Sequence, residues 1–573
     1  MPPDIEALLQ RNEQLKAKKH HWFPLYQALA QFVMLRKQYF TADATEGPFL
    51  VNTVFDATAP HAAHMMTSSL LGQIWPNPFE SFEFVPQIAQ EDEVFSDSYD
   101  FMNTVGEVLP TNLAVAEAGV MTALHETFMD AVVFGTGALY PIDTGDFRVP
   151  IRAKSLDSKV MSFDENEAGT VDTTYMEKQF TVGKLVQRYG YKNVSEASRK
   201  LYDDRKLDAK VKVLHIIEPR RERNPLKLGT GDMPYASIHI EVGQKHLLQE
   251  SGFVENPIIV VRFWKNVGEV QGRSPAMDAL PDIRAVNKLV EMFEKTGEMI
   301  LSPPKMISSE DVLGAGKPPW HPNAWIPIHA SGRLGSDRKP IEPIVVSENP
   351  GWAKERIVDL RENIKQYFML DTLTDLNNRS RQTLGEANIR NEKGMFITGP
   401  MLTRFLVELI SPFLDRSFNI LLENGHFGVI RGSEQDMRMQ MYGVQPKYIS
   451  EDFIRARTQG LKGYRLNFIS PAARLMKLEE LQGTQRLTEY AIALEQVDPA
   501  AKDNVNFDES LRAVQRLGGA SQKTLYSPAY VERVRKARAQ AQAEQQQMQA
   551  QMMEAAAFKD AAKGAKDIAS AGQ

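Results

Sequence analysis

Gly314-Ala315-Gly316-Lys317-Pro318 resembles the end of a phosphate-binding loop, in which backbone amides cradle phosphates and a lysine reaches the terminal ones. That chemistry needs Ser or Thr after the lysine to hold magnesium, and Pro318 stands there instead, so the stretch reads as a loop. His61 and His64, three apart, would share a helix face and could bind metal, but no third ligand is spaced to join them and the chain has no cysteine. Gly272-Arg273-Ser274-Pro275-Ala276 lacks the second glycine of a hydrolase nucleophile elbow. The paired carboxylates Asp143/Asp146 and Asp164/Glu165 sit in turn-rich segments, where Asp is used to bond the local backbone. A polar run from Asp371 to Gln382 (Asp371, Asp375, Asn377, Asn378, Arg379, Ser380, Arg381) offers charge without a nucleophile. No catalytic residue, cofactor or metal site is expected.

The elements that must carry these residues are clearest between Gly272 and Gly425: helix, Pro/Gly-rich insert, helix, polar loop, long Pro-interrupted helix. Ser274 is a good N-cap, and Pro275 suits the first helical position because its missing amide hydrogen would be orphaned there anyway. Leu280, Ile283, Val286, Val290 and Phe293 then recur at helical spacing until Ser302-Pro303-Pro304. Pro281 is expected to split off the first turn, leaving a main helix of roughly 20 residues and about 30 Å. A second helix starts at Asn349-Pro350 with Ile357, Leu360, Ile364 and Phe368 on one face. Between these two struts, residues 301–348 have no helical period but contain the extended runs Trp325–Ile328 and Ile341–Val346, which predicts a small, partly β module at their far end. Thr383-Leu384-Gly385-Glu386 fits a capping box opening the third helix, with Leu402, Phe405, Leu409 and Phe413 inward and kinks at Gly399-Pro400 and Ser411-Pro412. This order suits a conduit wall better than a catalytic pocket.

On the flanks, residues 1–130 read as helical, including a run from Asp56 to Leu71. Ala131–Tyr140, broken by two glycines, reads as a buried strand and turn. Strands are expected at Phe147–Ile151, Val171–Met176, Val211–Ile217, Ala236–Val242 and Ile258–Phe263, forming an antiparallel sheet interrupted by a helix at Val182–Tyr189. Helix returns at Met476–Gln496 and in the Gln/Ala/Met-rich stretch Val531–Phe558, whose thin apolar stripe would be marginal alone. Residues 559–573 are expected to be disordered. The fold class is α+β, predominantly helical.

Gly272-Arg273-Ser274-Pro275-Ala276 followed by Ala279-Leu280-Pro281-Asp282-Ile283, then Thr383, Glu386, Arg390, Glu392, Gly399-Pro400, Arg404, Glu408, Pro412 and Arg416, resembles the portal proteins, or head-to-tail connectors, of short-tailed, podovirus-type bacteriophages. Asp503, Asn506, Asp508, Arg512 and Gly518, with Val531–Arg538, extend the likeness over nearly the whole chain. The resemblance implies a ring, usually a dodecamer, at one capsid vertex, the channel for genome packaging and ejection. It implies an N-terminal wing (1–271), first stem helix (272–300), clip (301–348), second stem helix (349–370) and tunnel loop (371–383). A kinked helix with the rest of the wing (384–460), a crown (461–530) and a barrel helix (531–558) would follow. In that scheme Asp371, Asp375, Asn377, Asn378, Arg379 and Arg381 face double-stranded DNA. Lys305, Lys317, Trp320, Trp325, Arg333, Arg338 and Lys339 belong to the clip that docks the terminase large subunit and later the tail adaptor proteins. Major capsid and scaffolding proteins, and internal ejection proteins at the barrel, are further implied partners. The location implied is the virion's head-tail junction, after assembly in the host cytoplasm.

Composition agrees. The 573 residues are 43% hydrophobic, enough for several cores and too many for a wholly disordered chain. Without cysteine there is no disulfide and no thiolate metal site. The charged N-terminal stretch has no apolar core of a signal peptide, and no run approaches the ~18 apolar residues of a membrane span. The net charge is −6, where a protein that grips duplex DNA shows a basic surface; twelve copies at −6 each would total −72, favouring a passage that repels phosphates. A second reading, a DNA-packaging enzyme such as a terminase subunit, would require an intact phosphate-binding loop and an acidic metal cluster, and neither is visible.

Overall fold

The computed structural model describes residues 3–35, 54–86, 95–220, 222–223, 229–308, 321–328, 341–343, 351–370, 399–441, 447–469, 478–495, 505–518, 525–526 and 528–570. The chain divides into two compact units, residues 1–78 with 111–424, and residues 79–110 with 425–573.

The N-terminal region is helical as expected: α1 (Ile5–His20), α2 (Phe23–Phe32), α3 (Thr58–Ile74), the single turn α4 (Pro78–Ser81), α5 (Phe95–Ala114) and α6 (Val120–Phe134), with strand β1 (Phe82–Pro86) after α4. Asp4 opens α1 by accepting the amides of Glu6 and Ala7, and Lys18, Lys19 and His20 sit at its carbonyl end, where cations are favoured. The expected strand at Ala131–Tyr140 is corrected: Ala131–Phe134 are the last turn of α6. From Thr127 to Phe134 every residue of this helix is buried, so its second half shows no polar face from which a helical period could be read. Gly135, at φ +77°, ends it in the left-handed conformation, and β2 (Thr136–Asp143) follows at once.

β2 pairs antiparallel with β3 (Ile151–Ser155) on one side and β9 (Ile259–Arg262) on the other. The expected strand at Phe147–Ile151 is shifted, because 147–150 complete the β2–β3 turn. There the Asp143 and Asp146 carboxylates accept the amides of Gly145 and Arg148, the local backbone bonding anticipated for them. A second sheet is an antiparallel meander of β4 (Met161–Glu165), β5 (Val171–Thr181), β6 (Lys210–Pro219), β7 (Tyr235–Glu241) and β8 (His246–Phe253). Helices α7 (Val182–Tyr189), at the expected position, and α8 (Glu196–Asp203) lie between β5 and β6; Thr181 and Ser195 cap them. Strand alternation gives the meander two apolar faces. Tyr175, Leu214, Ile216, Ile238 and Ile240 pack with Leu15 of α1, while Val213 and Leu248 pack with Leu185, Tyr189 and Val194. The same unit continues with α9 (Pro275–Leu301), β10 (Lys305–Ser308), β11 (Trp325–Ile328), β12 (Ile341–Pro343), α10 (Gly351–Tyr367) and α11, helical over 399–423.

In the second unit β1 pairs antiparallel with β13 (Tyr464–Phe468), and Phe84 packs on Tyr464 with ring centroids 5.0 Å apart. Phe101 of α5 lies 5.1 Å from Phe453, which is carried by α13 (Glu451–Thr458), downstream of α12 (Glu434–Met441). α14 (Leu478–Glu495) packs on α15 (Phe507–Gly518), and α16 runs from Pro528 to Ser570. The expected disorder of 559–573 is corrected as far as Ser570: alanine and lysine are good helix formers, and no proline interrupts them.

On the α7 side of the meander His215 and His239 are register partners, their rings stacked 3.9 Å apart at 12°. Both are buried; Tyr189 Oη lies 2.9 Å from His239 Nδ1, and Ser237 Oγ 3.1 Å from His215 Nε2. Burial first, then the positive charges of Arg188 and Lys178, lowers the His239 pKa to about 3. Burial, then His239, Lys178 and Arg188, holds His215 well below 6.5. Both rings are neutral when folded and take up protons on unfolding below about pH 6.5, so the stability they confer is full above that pH and is lost as pH falls toward 3. Melting temperature should therefore fall more steeply below pH 6.5 in the wild type than in His239→Gln, and equal slopes would contradict this.

Candidate functional site

The Gly-Arg-Ser-Pro segment is where α9 is seated. A Cβ on Gly272 would lie 1.9 Å from the carbonyl oxygen of Gly135, and one on Gly135 would lie 2.3 Å from that of Gly272, so the two backbones touch directly. The Gly272 amide donates to Thr136 Oγ1 at 3.0 Å. Arg273 pairs with Glu269 and lays its guanidinium 4.5 Å from the ring centroid of Trp22. Ser274 Oγ donates to the Val133 carbonyl at 2.8 Å and accepts the Met277 amide at 3.2 Å. The bond from Met277 is a helix cap, the bond to Val133 ties that cap to the last turn of α6, and the serine is buried.

α9 runs for 27 residues, about 40 Å, and the split expected at Pro281 does not occur. An interior proline costs about 3 kcal/mol or more, but the flanking Ala276, Ala279, Leu280 and Ile283 are all buried and hold the helix on course. Leu280, Ile283, Val286 and Val290 are buried as expected. Phe293 is not, at 38% exposure, and Met292, Ile300 and Leu301 are also exposed, so the last turns of α9 carry apolar side chains that the described residues leave uncovered. Ile357, Leu360, Ile364 and Phe368 are buried as expected, whereas Trp352 and Val358 face outward.

A three-residue clasp that the sequence reading missed fixes the two struts. Asn287 of α9 accepts the amides of Phe55 and Asp56 through Oδ1, at 2.7 and 3.3 Å. The buried Asp56 carboxylate takes the Thr58 amide at 2.9 Å and Arg361 of α10 at 2.7 Å. Burial pushes the Asp56 pKa up, but the bonds from Thr58 and Arg361 outweigh it and hold the carboxyl below its ordinary value. The available signal was an Asp directly ahead of the apolar helical run of α3.

At the far end of α9, β10 pairs parallel with β11 and antiparallel with β12. Lys305 and Trp325, both expected in a docking surface, are register partners, with the Lys305 ammonium 5.6 Å from the indole centroid and Trp325 half exposed. Lys317, Trp320, Arg333, Arg338 and Lys339 lie outside the described residues, as do Asp371, Asp375, Asn377, Asn378, Arg379 and Arg381 of the polar loop and the Thr383–Glu386 capping box.

In α11, Leu402, Phe405, Leu409 and Phe413 are buried as expected. The irregularity at Ser411-Pro412 takes the form of a π-turn over Leu406–Ile410, in which the Ser411 amide bonds the Leu406 carbonyl five residues back. Glu408 accepts the backbone amide and guanidinium of Arg262 at 3.0 and 3.1 Å; Arg262 also pairs with Glu165 at 2.6 Å and donates to the Gly169 carbonyl. Arg416 donates to the Pro141 carbonyl and pairs with Glu255, which Asn419 also bonds. Glu408 and Arg416 are thus committed to the interior. Of the other carboxylate pair, Asp164 engages Arg11, and Glu165 serves Arg262 and Lys265. Among the described residues no group of three or more His, Cys, Asp or Glu is placed to hold a metal, and no helix is long and apolar enough to cross a membrane.

Gly272→Ala would drive a methyl into the Gly135 carbonyl. A loss on the order of 3 kcal/mol or more in denaturant unfolding, or failure to fold, is expected, and near-wild-type stability would refute the contact.

The family model described as bacteriophage head to tail connecting protein matches residues 6–525. The probable portal protein of Bordetella phage BPP-1 is 25% identical over 427 residues, covering 73% of this chain and 74% of that protein. The portal protein of Salmonella phage epsilon15 is 25% identical over 548 residues, covering 93% and 91%. Among solved structures, a chain from the virion of a native gene transfer agent particle is 11% identical with a TM-score of 0.28, covering 70% of this chain and 96% of that one. A chain from the neck of an empty gene transfer agent particle computed with C6 symmetry is 12% identical with a TM-score of 0.31, covering 74% and 97%.

Proposed function

Because this chain belongs to the bacteriophage head to tail connecting protein family, we propose that it is a portal: a structural subunit, without chemistry of its own, whose copies close around a passage for double-stranded DNA at the head-tail junction. The observation that carries the reading is the strut pair. Two helices clasped by Asn287, Asp56 and Arg361 leave Met292, Leu301, Trp352 and Val358 exposed on a single chain, an apolar surface that neighbouring copies would cover. α16 points the same way. Its 43 residues, about 65 Å, have mostly exposed side chains over the described part, and a helix so poorly packed gains from company.

In this reading α9 and α10 are the stem, and the β10–β12 module is the clip offered to the terminase large subunit and then to tail adaptors. The loop over 371–383 lines the passage, and 461–530 with α16 form crown and barrel. Assembly in the host cytoplasm would precede residence in the virion. The motor supplies force while the ring supplies symmetry and alignment. A chain at −6 whose Arg262, Arg416 and Glu408 are engaged internally suits a passage that does not hold phosphates.

Purified assemblies should weigh close to twelve times 64.6 kDa and show a central hole in end-on electron-microscope averages, whereas a solitary chain with DNA-stimulated ATP hydrolysis would defeat the reading. Deleting 371–382 should leave rings intact while impairing DNA packaging or retention; rings that fail to form would mark the loop as a subunit contact. Replacing Lys305 and Trp325 together by alanine should weaken terminase or adaptor binding about tenfold or more at unchanged melting temperature, and normal docking would remove the β10–β12 module from that role.

A further inference from the structure

Lys19, in the last turn of α1, is buried. Its ammonium donates to the backbone carbonyls of Ser158 and Met161 and, at 3.2 Å, to that of Lys159. Arg11, Lys16 and Lys18 of the same helix meet carboxylates instead, Arg11 and Lys18 on Asp164 and Lys16 on Glu177. Among the described residues Lys19 has no such partner, and its three acceptors are neutral backbone oxygens. The Phe23 ring of α2, its centroid 5.9 Å away, adds an aromatic face. The acceptors are set by the sheet rather than by α1. Ser158–Val160 form a single 3-10 turn between β3 and β4, capped by Asp157, whose carboxylate takes the Lys159 amide at 3.1 Å. The Val160 amide returns to the Asp157 carbonyl, and the Ser158 hydroxyl ties the turn to the Thr136 carbonyl of β2 at 3.1 Å.

Carbonyl oxygens converging on one point are what backbone offers to a monovalent cation in place of its water shell. An ammonium brings three N–H donors to the three oxygens, whereas a neutral amine has two and would set its lone pair against the third. Burial draws the Lys19 pKa down to about 7, with the charge of Asp157 opposing it, and below that pH the carbonyls hold a cation. We propose that this carbonyl cage is a binding site for a primary-ammonium cation, filled in the native chain by Lys19, and that the filled cage locks α1 across the meander. Leu15, one turn earlier on the same helix, is thereby kept against Leu214 and Ile216. Because the turn is held by Asp157 and Thr136, the cage stays formed when the lysine side chain is removed. The inference does not depend on the portal reading.

Lys19→Ala deletes the atoms of n-propylammonium, which can therefore be returned as a free ion. The test is thermal melting of the full-length protein at about pH 6, where free primary amines are protonated. It is titrated with n-propylammonium chloride and, at matched ionic strength, with tetramethylammonium chloride, whose cation has no N–H donor. A ligand that binds only the folded state raises the melting temperature by mass action. Lys19→Ala should melt below wild type and regain about half or more of the difference, saturably, with n-propylammonium alone. The wild type, its cage already filled, should respond alike to the two salts. Lys19→Met, which occupies the same space without charge or donors, should show no selective recovery, and this separates a cation cage from an apolar cavity. Should Lys19→Ala fail to fold, the same comparison is read from the yield of refolding from denaturant in each salt. No selective recovery of Lys19→Ala, or an equal one in Lys19→Met or the wild type, overturns the proposal.

Discussion

The first unit depends on one place where two backbones meet without side chains between them. Gly135 must be left-handed to end α6 and release β2, and Gly272 must have no Cβ for the β9–α9 connection to pass against it. This contact sets the end of one buried helix against the start of the long strut, and the neighbouring bonds follow. Thr136 receives the Gly272 amide, Ser274 reaches back to Val133, and the Trp264–Arg273 bridge closes the turn. A segment that on paper could be weighed as a nucleophile turn is a joint: the serine's donor and acceptor capacity is taken up in starting and anchoring a helix.

The charged residues of the resemblance have a similar fate. Glu408 and Arg416 lie on α11, and each is met by a partner from the β-rich part of the same unit, Arg262 and Glu255 respectively. Arg262 is 2% exposed and reaches carboxylates on both the β4–β5 hairpin and α11, so its buried charge is compensated only when both elements are docked. Such groups specify how helix, sheet and hairpin come together, and they are unavailable to a phosphate backbone. Among the described residues, Met292, Ile300 and Leu301 of α9, Trp352 and Val358 of α10, and Trp325 of the small sheet remain exposed.

Wherever local rules dominate, the residues could be read in advance. Ser274 caps and Pro275 opens α9; the spacing of Leu280, Ile283, Val286 and Val290 marks its buried face; Val182–Tyr189 is a helix because its apolar period is strong and Thr181 caps it. The last turn of α6 could not be read as helix, because a stretch buried on every side has no amphipathic signature, and the β2–β3 strand slipped because its turn residues include Phe147 and Val149, apolar side chains that resemble strand. Lys305 and Trp325, proposed for docking, were legible only as types: they are twenty positions apart, and a parallel register brings them together.

Caps and periodicity in the sequence by themselves determined a mixed, largely helical chain with two struts around a β insert, and the motifs from Gly272 to Arg416 carried the resemblance to phage connectors. Only the tertiary structure decided that Asp56 would join Asn287 to Arg361 and that Glu408 and Arg416 would face inward. The physical reason is range. Helix caps and side-chain periods act over a few residues, whereas a buried charge is satisfied by whatever the fold carries to it, here from strands and helices up to three hundred positions away.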